Sequence, residues 1–71
     1  MITQQNLKRL LRVATIAAYY RERSISDDDL WREKAKKDAF VVVKQFLIYL
    51  GESNESAEKR TREAELNINP I

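Results

Sequence analysis

Asp27, Asp28 and Asp29 stand side by side, three carboxylates of the kind that hold calcium or magnesium through hard oxygen ligands. Their spacing argues against that use. A calcium loop of the EF-hand type alternates its acids and sets a glycine among them, and neither feature is present. Three consecutive side chains on a helical turn also diverge rather than converge. At a helix start the same carboxylates have a simpler role, because they meet the positive end of the helix dipole. No metal site is expected.

Catalytic chemistry finds equally little to work with. The chain has no His and no Cys, which removes the commonest zinc ligands, the usual general base near neutral pH and any thiol nucleophile. There is no glycine-rich phosphate loop, since Gly51 is the single glycine. Glu33 and Asp38 belong to ordinary surface charge patterning. The expectation is a protein that is not an enzyme and carries no cofactor.

Two groups of residues could still bind something. The first is basic: Lys8 and Arg12 share a helical face with Thr15 and Tyr19, Arg9 lies beside them, and Arg21 and Arg23 follow. Such a face could contact nucleic-acid phosphates while Tyr19 stacks on a base. The same pattern also describes a solvated face opposite an apolar stripe. The second group is the run Ala39 to Leu50, which is apolar almost throughout, interrupted by Lys44 and Gln45. It is the largest concentration of apolar side chains in the chain and too large for so small a protein to cover. An uncovered patch of that kind marks a partner surface. The residues expected there are Trp31, Phe40, Val43, Phe46, Leu47, Tyr49 and Leu50.

The 71 residues allow one small domain, a size that usually needs disulfides, a metal or oligomerisation for stability. The missing Cys and His leave oligomerisation. Net charge is +2 and the sequence pI about 9.1, well below the excess of a dedicated nucleic-acid binder. The charge is unevenly spread. Residues 1–25 are basic, residues 26–50 are balanced, and the segment from Gly51 is acidic. No apolar run approaches the roughly 20 residues of a membrane span. Lys8 to Tyr20 faintly resembles a targeting sequence, but the apolar stretch is short and has no small-x-small cleavage site, so an ordinary amphipathic helix is expected. A chain without Cys suits a reducing compartment, and the cytoplasm is the expected location.

Helices must position these groups. Thr3 is a candidate N-cap for a first helix over about 4–22, whose stripe is Leu7, Leu10, Leu11, Ala14, Ala17 and Ala18. Val13, Ile16 and Tyr20 widen its flank. The break falls at Arg23-Ser24-Ile25-Ser26. Ser26 can cap a second helix, Asp27 to Asp29 fill its first turn, and Ile25 with Leu30 has hydrophobic-staple spacing. The second helix should run over about 27–50 and end at Gly51, which can take the left-handed C′ conformation. A strand over Phe40 to Tyr49 is the rival reading, favoured by β-branched and aromatic content. It has no second strand to pair with. After Gly51, Glu52 to Ser56 reads as a linker, and Ser56 could cap a marginal polar helix over about 57–66 held by Ala57, Ala64 and Leu66.

The expected fold is therefore all-α: an antiparallel helical hairpin of two long helices with a polar C-terminal segment, dimerising into a four-helix bundle. The expected division is an oligomerisation hairpin over residues 1–51 and a partly helical or flexible tail over 52–71. The expected function is a small accessory or regulatory subunit acting as a helical homo-oligomer through protein–protein contact. A small nucleic-acid-binding regulator using Lys8, Arg9, Arg12 and Tyr19 is the alternative. A subunit packed on a different protein is the third.

Overall fold

A computed structural model describes residues 2–25 and 30–66. Among the described residues the chain is entirely helical: α1 spans Gln4–Ile25, α2 spans Trp31–Tyr49 and α3 spans Asn54–Leu66. The all-α expectation holds. The two-helix hairpin gives way to three helices, because the segment after Gly51 forms a 13-residue helix packed on both of the others.

Each helix start and stop has a local cause. Thr3 caps α1 as expected: the Asn6 N–H donates to Thr3 Oγ1 at 3.1 Å. Ser26 to Asp29, the expected cap and first turn of the second helix, lie outside the described residues. α2 stops in a Schellman motif. Gly51 has φ +106°, its N–H donates to Ile48 O at 2.9 Å, and the Glu52 N–H donates to Leu47 O at 3.1 Å. That geometry needs the left-handed backbone which glycine adopts without a Cβ clash. The cap of α3 is Ser53 rather than Ser56. Ser53 Oγ accepts from the Ser56 N–H at 3.1 Å, so the helix begins three residues earlier than the linker reading placed it.

Successive helices run antiparallel. Arg21 pairs with Asp38 at 3.0 Å across α1 and α2, and the Arg62 guanidinium lies 5.4 Å from the Phe40 ring across α3 and α2. The core follows rows spaced three or four residues apart. Leu7, Leu11, Thr15 and Ala18 are buried on α1, Ala35, Ala39, Val43 and Leu47 on α2, and Ala57, Thr61 and Ala64 on α3. Most of these residues are small, which lets three backbones approach closely. The two buried threonines hydrogen-bond inside their own helices, Thr15 Oγ1 donating to Leu11 O and Thr61 Oγ1 to Ala57 O, each at 2.7 Å. Burial therefore leaves neither hydroxyl unsatisfied.

A polar clasp fastens α3. Arg60 forms an ion pair with Glu52, donates to Ile2 O at 2.6 Å, and donates through Nε to Gln4 Oε1 at 3.2 Å. Gln4 Nε2 returns a hydrogen bond to Arg60 O at 2.9 Å, and Ser56 Oγ donates to the second Glu52 oxygen at 3.0 Å. One guanidinium thus joins the start of α1, the α2–α3 turn and the body of α3.

Candidate functional site

The α1–α2 hairpin has two long sides, and α3 covers one of them. On α2, Phe40 points toward α3 beneath the Arg62 guanidinium. Below them lies a broad shallow groove edged by Glu33, Lys36, Lys37 and Glu65, whose mixed charges suit solvent. Val42 and Phe46, one turn apart, point the other way. Val42 faces Ala14 and Ala17 of α1 across a shallow groove of about 180 Å³ floored by Ala18 and Ala39, with the Arg21–Asp38 pair at one end. Leu10 and Val13, one helical turn before Ala14 and Ala17, continue the apolar surface along α1.

Exposure confirms how much of this side is uncovered. Val13 is 64% exposed, Val42 57% and Phe46 41%, and Tyr49, one turn beyond Phe46, reaches 85%. Leu50 is also exposed. Of the seven residues expected at a partner surface, the structure places Phe46, Tyr49 and Leu50 in the open. Val43 and Leu47 are fully buried in the core of the single chain, and Phe40 is half-buried beside α3. Trp31 is half-buried at the far end of the hairpin, where its ring meets Tyr19 edge-on with centroids 5.5 Å apart.

The core stripe of α1 is also rotated from the expected one. The expected stripe of Leu7, Leu10, Leu11, Ala14, Ala17 and Ala18 supposes one helix packing on α1, and Leu7, Leu11 and Ala18 are indeed buried. Two helices pack there, so burial shifts toward Thr15 and away from Ala17, which is exposed. The Lys8–Arg12–Thr15–Tyr19 row is changed by the same rotation. Thr15 is core, Lys8 and Tyr19 are half-buried, and Arg9 and Arg12 remain exposed. The outward face instead continues through Ile16, Tyr20 and Arg23. With Trp31, Arg32 and Tyr19 these line a cleft of about 190 Å³.

No protein-family model matches the chain, and no curated protein and no solved structure matches it. The surfaces must therefore be read from their own chemistry.

Electrostatics at the open groove centre on Asp38. Its carboxylate accepts from Arg21, and the Glu22 carboxyl hydrogen-bonds to it as well. That hydrogen bond, with some desolvation and the repulsion of the Asp38 charge, holds Glu22 above the ordinary carboxylate value, against the opposing pull of Arg21 and Lys34. Among the described residues, no cluster of three or more acidic side chains is placed to hold a metal ion, and Asp27 to Asp29 lie outside them. Among the described residues, no helix is long and apolar enough to cross a membrane.

Sequence reasoning named Phe46, Tyr49 and Leu50 but passed over Val42, Ala14 and Ala17 as surface. Ala14 and Ala17 stand in the expected packing stripe of α1. The signal that separates the two uses is the number of helices packed on α1, which depends on α3 docking there instead of fraying.

Proposed function

We propose that this chain is a small non-catalytic protein-interaction module that works as a homo-oligomer, a dimer in the simplest case, in the cytoplasm. The observation that carries the reading is the open side of the hairpin. Val42 faces Ala14 and Ala17, and Phe46 on α2 with Leu10 and Val13 on α1, one turn along, extend an apolar strip left uncovered in a protein with little core to spare. Leaving large apolar side chains in water forgoes about 1.5–3 kcal/mol for each one that a partner would fully bury. The alanines keep the groove shallow enough for another helix to lie along it, and a second copy offers a helix of matching shape. Two hairpins meeting on this side would put α1 and α2 of each copy into a four-helix arrangement with α3 outside. The lack of His, Cys and a glycine-rich loop supports a role in binding without chemistry.

Light scattering coupled to size exclusion tests the proposal at micromolar concentration. The wild-type chain should run as a dimer, Phe46→Asp as a monomer and Lys37→Asp, changed on the α3 side, as a dimer. A wild-type monomer at that concentration overturns the homo-oligomer.

A further inference from the structure

The cleft at the far end of the hairpin combines aromatic rings with cationic groups, and we propose that it is a binding site for single-stranded nucleic acid. Tyr19, Tyr20 and Ile16 of α1 meet Trp31 of α2 there, with Arg23 and Arg32 among the lining residues. The Tyr20 ring is 72% exposed, and the Trp31 ring already holds the Arg32 guanidinium 5.1 Å from its centroid. At about 190 Å³ the cleft is smaller than the ~300–1,000 Å³ of drug-sized sites and suits one flat ring.

The approach to it along α1 carries the matching charge. At 100° per residue, Lys8, Arg9, Arg12, Ile16, Tyr19, Tyr20 and Arg23 fall within roughly a third of the helix circumference. That arc contains no acidic residue, the single acid of α1 being Glu22 on another face. Arg21, Arg60 and Arg62 are held in ion pairs, and the cations of this arc enter none of those pairs. From Lys8 to Arg23 the arc extends about 22 Å at 1.5 Å per residue. A polyanion lying along it would meet Arg9 and Arg12 before its next group reached the rings.

The chemistry that uses both features is a chain of phosphates bearing flat, unpaired rings. Phosphates take the guanidinium groups, and a base stacks on Tyr20 or on the exposed part of Trp31. An acidic peptide would satisfy the charges and leave the rings unused. A duplex keeps its bases stacked on one another and away from the cleft. The attraction of a few cations for phosphates is strongest at low salt, where binding is best measured.

Trp31 is the single tryptophan and reports directly on the site. Titrating the protein with a twelve-residue oligothymidylate at 50 mM NaCl should quench its fluorescence saturably. With Arg12, Arg23 and Arg32 each neutralising one phosphate, the log of the binding constant should fall against log salt with a slope of about −2. Tyr20→Ala should weaken binding about five-fold or more through lost stacking. Arg12→Ala combined with Arg23→Ala should weaken it at least about ten-fold and flatten the slope, while Lys59→Ala on α3 should change neither. All four residues are exposed, so the variants keep the fold. Absence of quenching overturns the proposal. So does equal affinity for polyglutamate or for a blunt duplex of the same length, or a Tyr20→Ala variant that binds like wild type.

Discussion

α3 docks on one side of the α1–α2 hairpin through small residues, whereas the side left open carries large ones beside its alanines. α3 buries Ala57, Thr61 and Ala64 and exposes its one leucine, Leu66, at 81%. On the open side, Val42, Phe46 and Tyr49 stay in solvent. Apolar content alone would have assigned the two sides the other way round. What decides it is how closely the backbones approach and whether the polar groups are satisfied. Small side chains let α3 settle into the hairpin, and the Arg60 clasp gives its polar atoms partners at three places. Among the described residues no buried side-chain nitrogen or oxygen lacks a hydrogen-bond partner.

The largest break in this comparison comes from two neighbours on α2. Leu47 is fully buried and Phe46, one residue earlier, is 41% exposed. Leu47→Ala should cost about 2–5 kcal/mol of unfolding free energy, the range for a buried leucine that leaves a cavity. Phe46→Ala should cost about 1 kcal/mol or less at submicromolar protein, because much of its ring is already in water. Urea unfolding of both variants measures the contrast. If copies meet on the open side, the Phe46 cost grows with protein concentration while the Leu47 cost does not. Equal losses at high dilution would mean that the two sides are not different in the way described.

The clasp is the next test. Arg60→Met keeps much of the length of the side chain and removes its charge, leaving Glu52 half-buried beside Ser56. The Arg60 and Glu52 side chains are 19% and 10% exposed, so breaking the pair should cost about 2–3 kcal/mol, somewhat below a fully buried one. Because Arg60 also holds Ile2 O, hydrogen exchange at the start of α1 should accelerate together with that of α3. A double-mutant cycle with Glu52→Gln should recover a coupling of at least about 1 kcal/mol. A cycle with no coupling would show that α3 docks through its alanines alone.

The contrast between the sides also explains which parts of the fold could be read from the sequence. Thr3, Gly51 and the Leu7–Leu11 row announce themselves locally, through a hydroxyl at a helix start, a lone glycine after an apolar run, and spacing. α3 does not. Ala57, Thr61 and Ala64 form a proper stripe, but a stripe of two alanines and a threonine among charges resembles a solvated face. Arg60 meets Gln4 and Ile2 across 56 and 58 residues, a contact that no local pattern encodes. Taking α3 as marginal and loosely attached displaces the reading of its neighbours. Val43 and Leu47 looked like surplus surface because only one helix was available to cover them. Phe46 and Tyr49 lie on the edge of α2 that α3 leaves uncovered, so the same reading holds for them. The basic residues were legible as a group, while the cleft they lead to depends on Trp31 arriving from α2.

The smallest effect belongs to the end of the open groove, where Glu22 and Asp38 lie side by side. Glu22 binds its proton more readily in the folded chain than in the unfolded one, chiefly because the protonated carboxyl donates to Asp38. Folding is therefore helped at pH values below the ordinary carboxylate value, and that help is lost as pH rises through the raised one. Glu22→Gln keeps a donor for Asp38 and removes the charge. Relative to wild type it should gain stability at neutral pH and lose that advantage as the pH falls below the ordinary carboxylate value. Asp38→Asn should return the Glu22 titration, followed by NMR, toward its ordinary value. The α3 side supplies the control, since Glu58, paired with Arg62 at 3.3 Å, has no second carboxylate among its hydrogen-bond partners. Glu58→Gln should show no comparable gain at neutral pH. If both glutamine variants respond to pH alike, the effect comes from the overall charge of the molecule and the Asp38 contact is not its source.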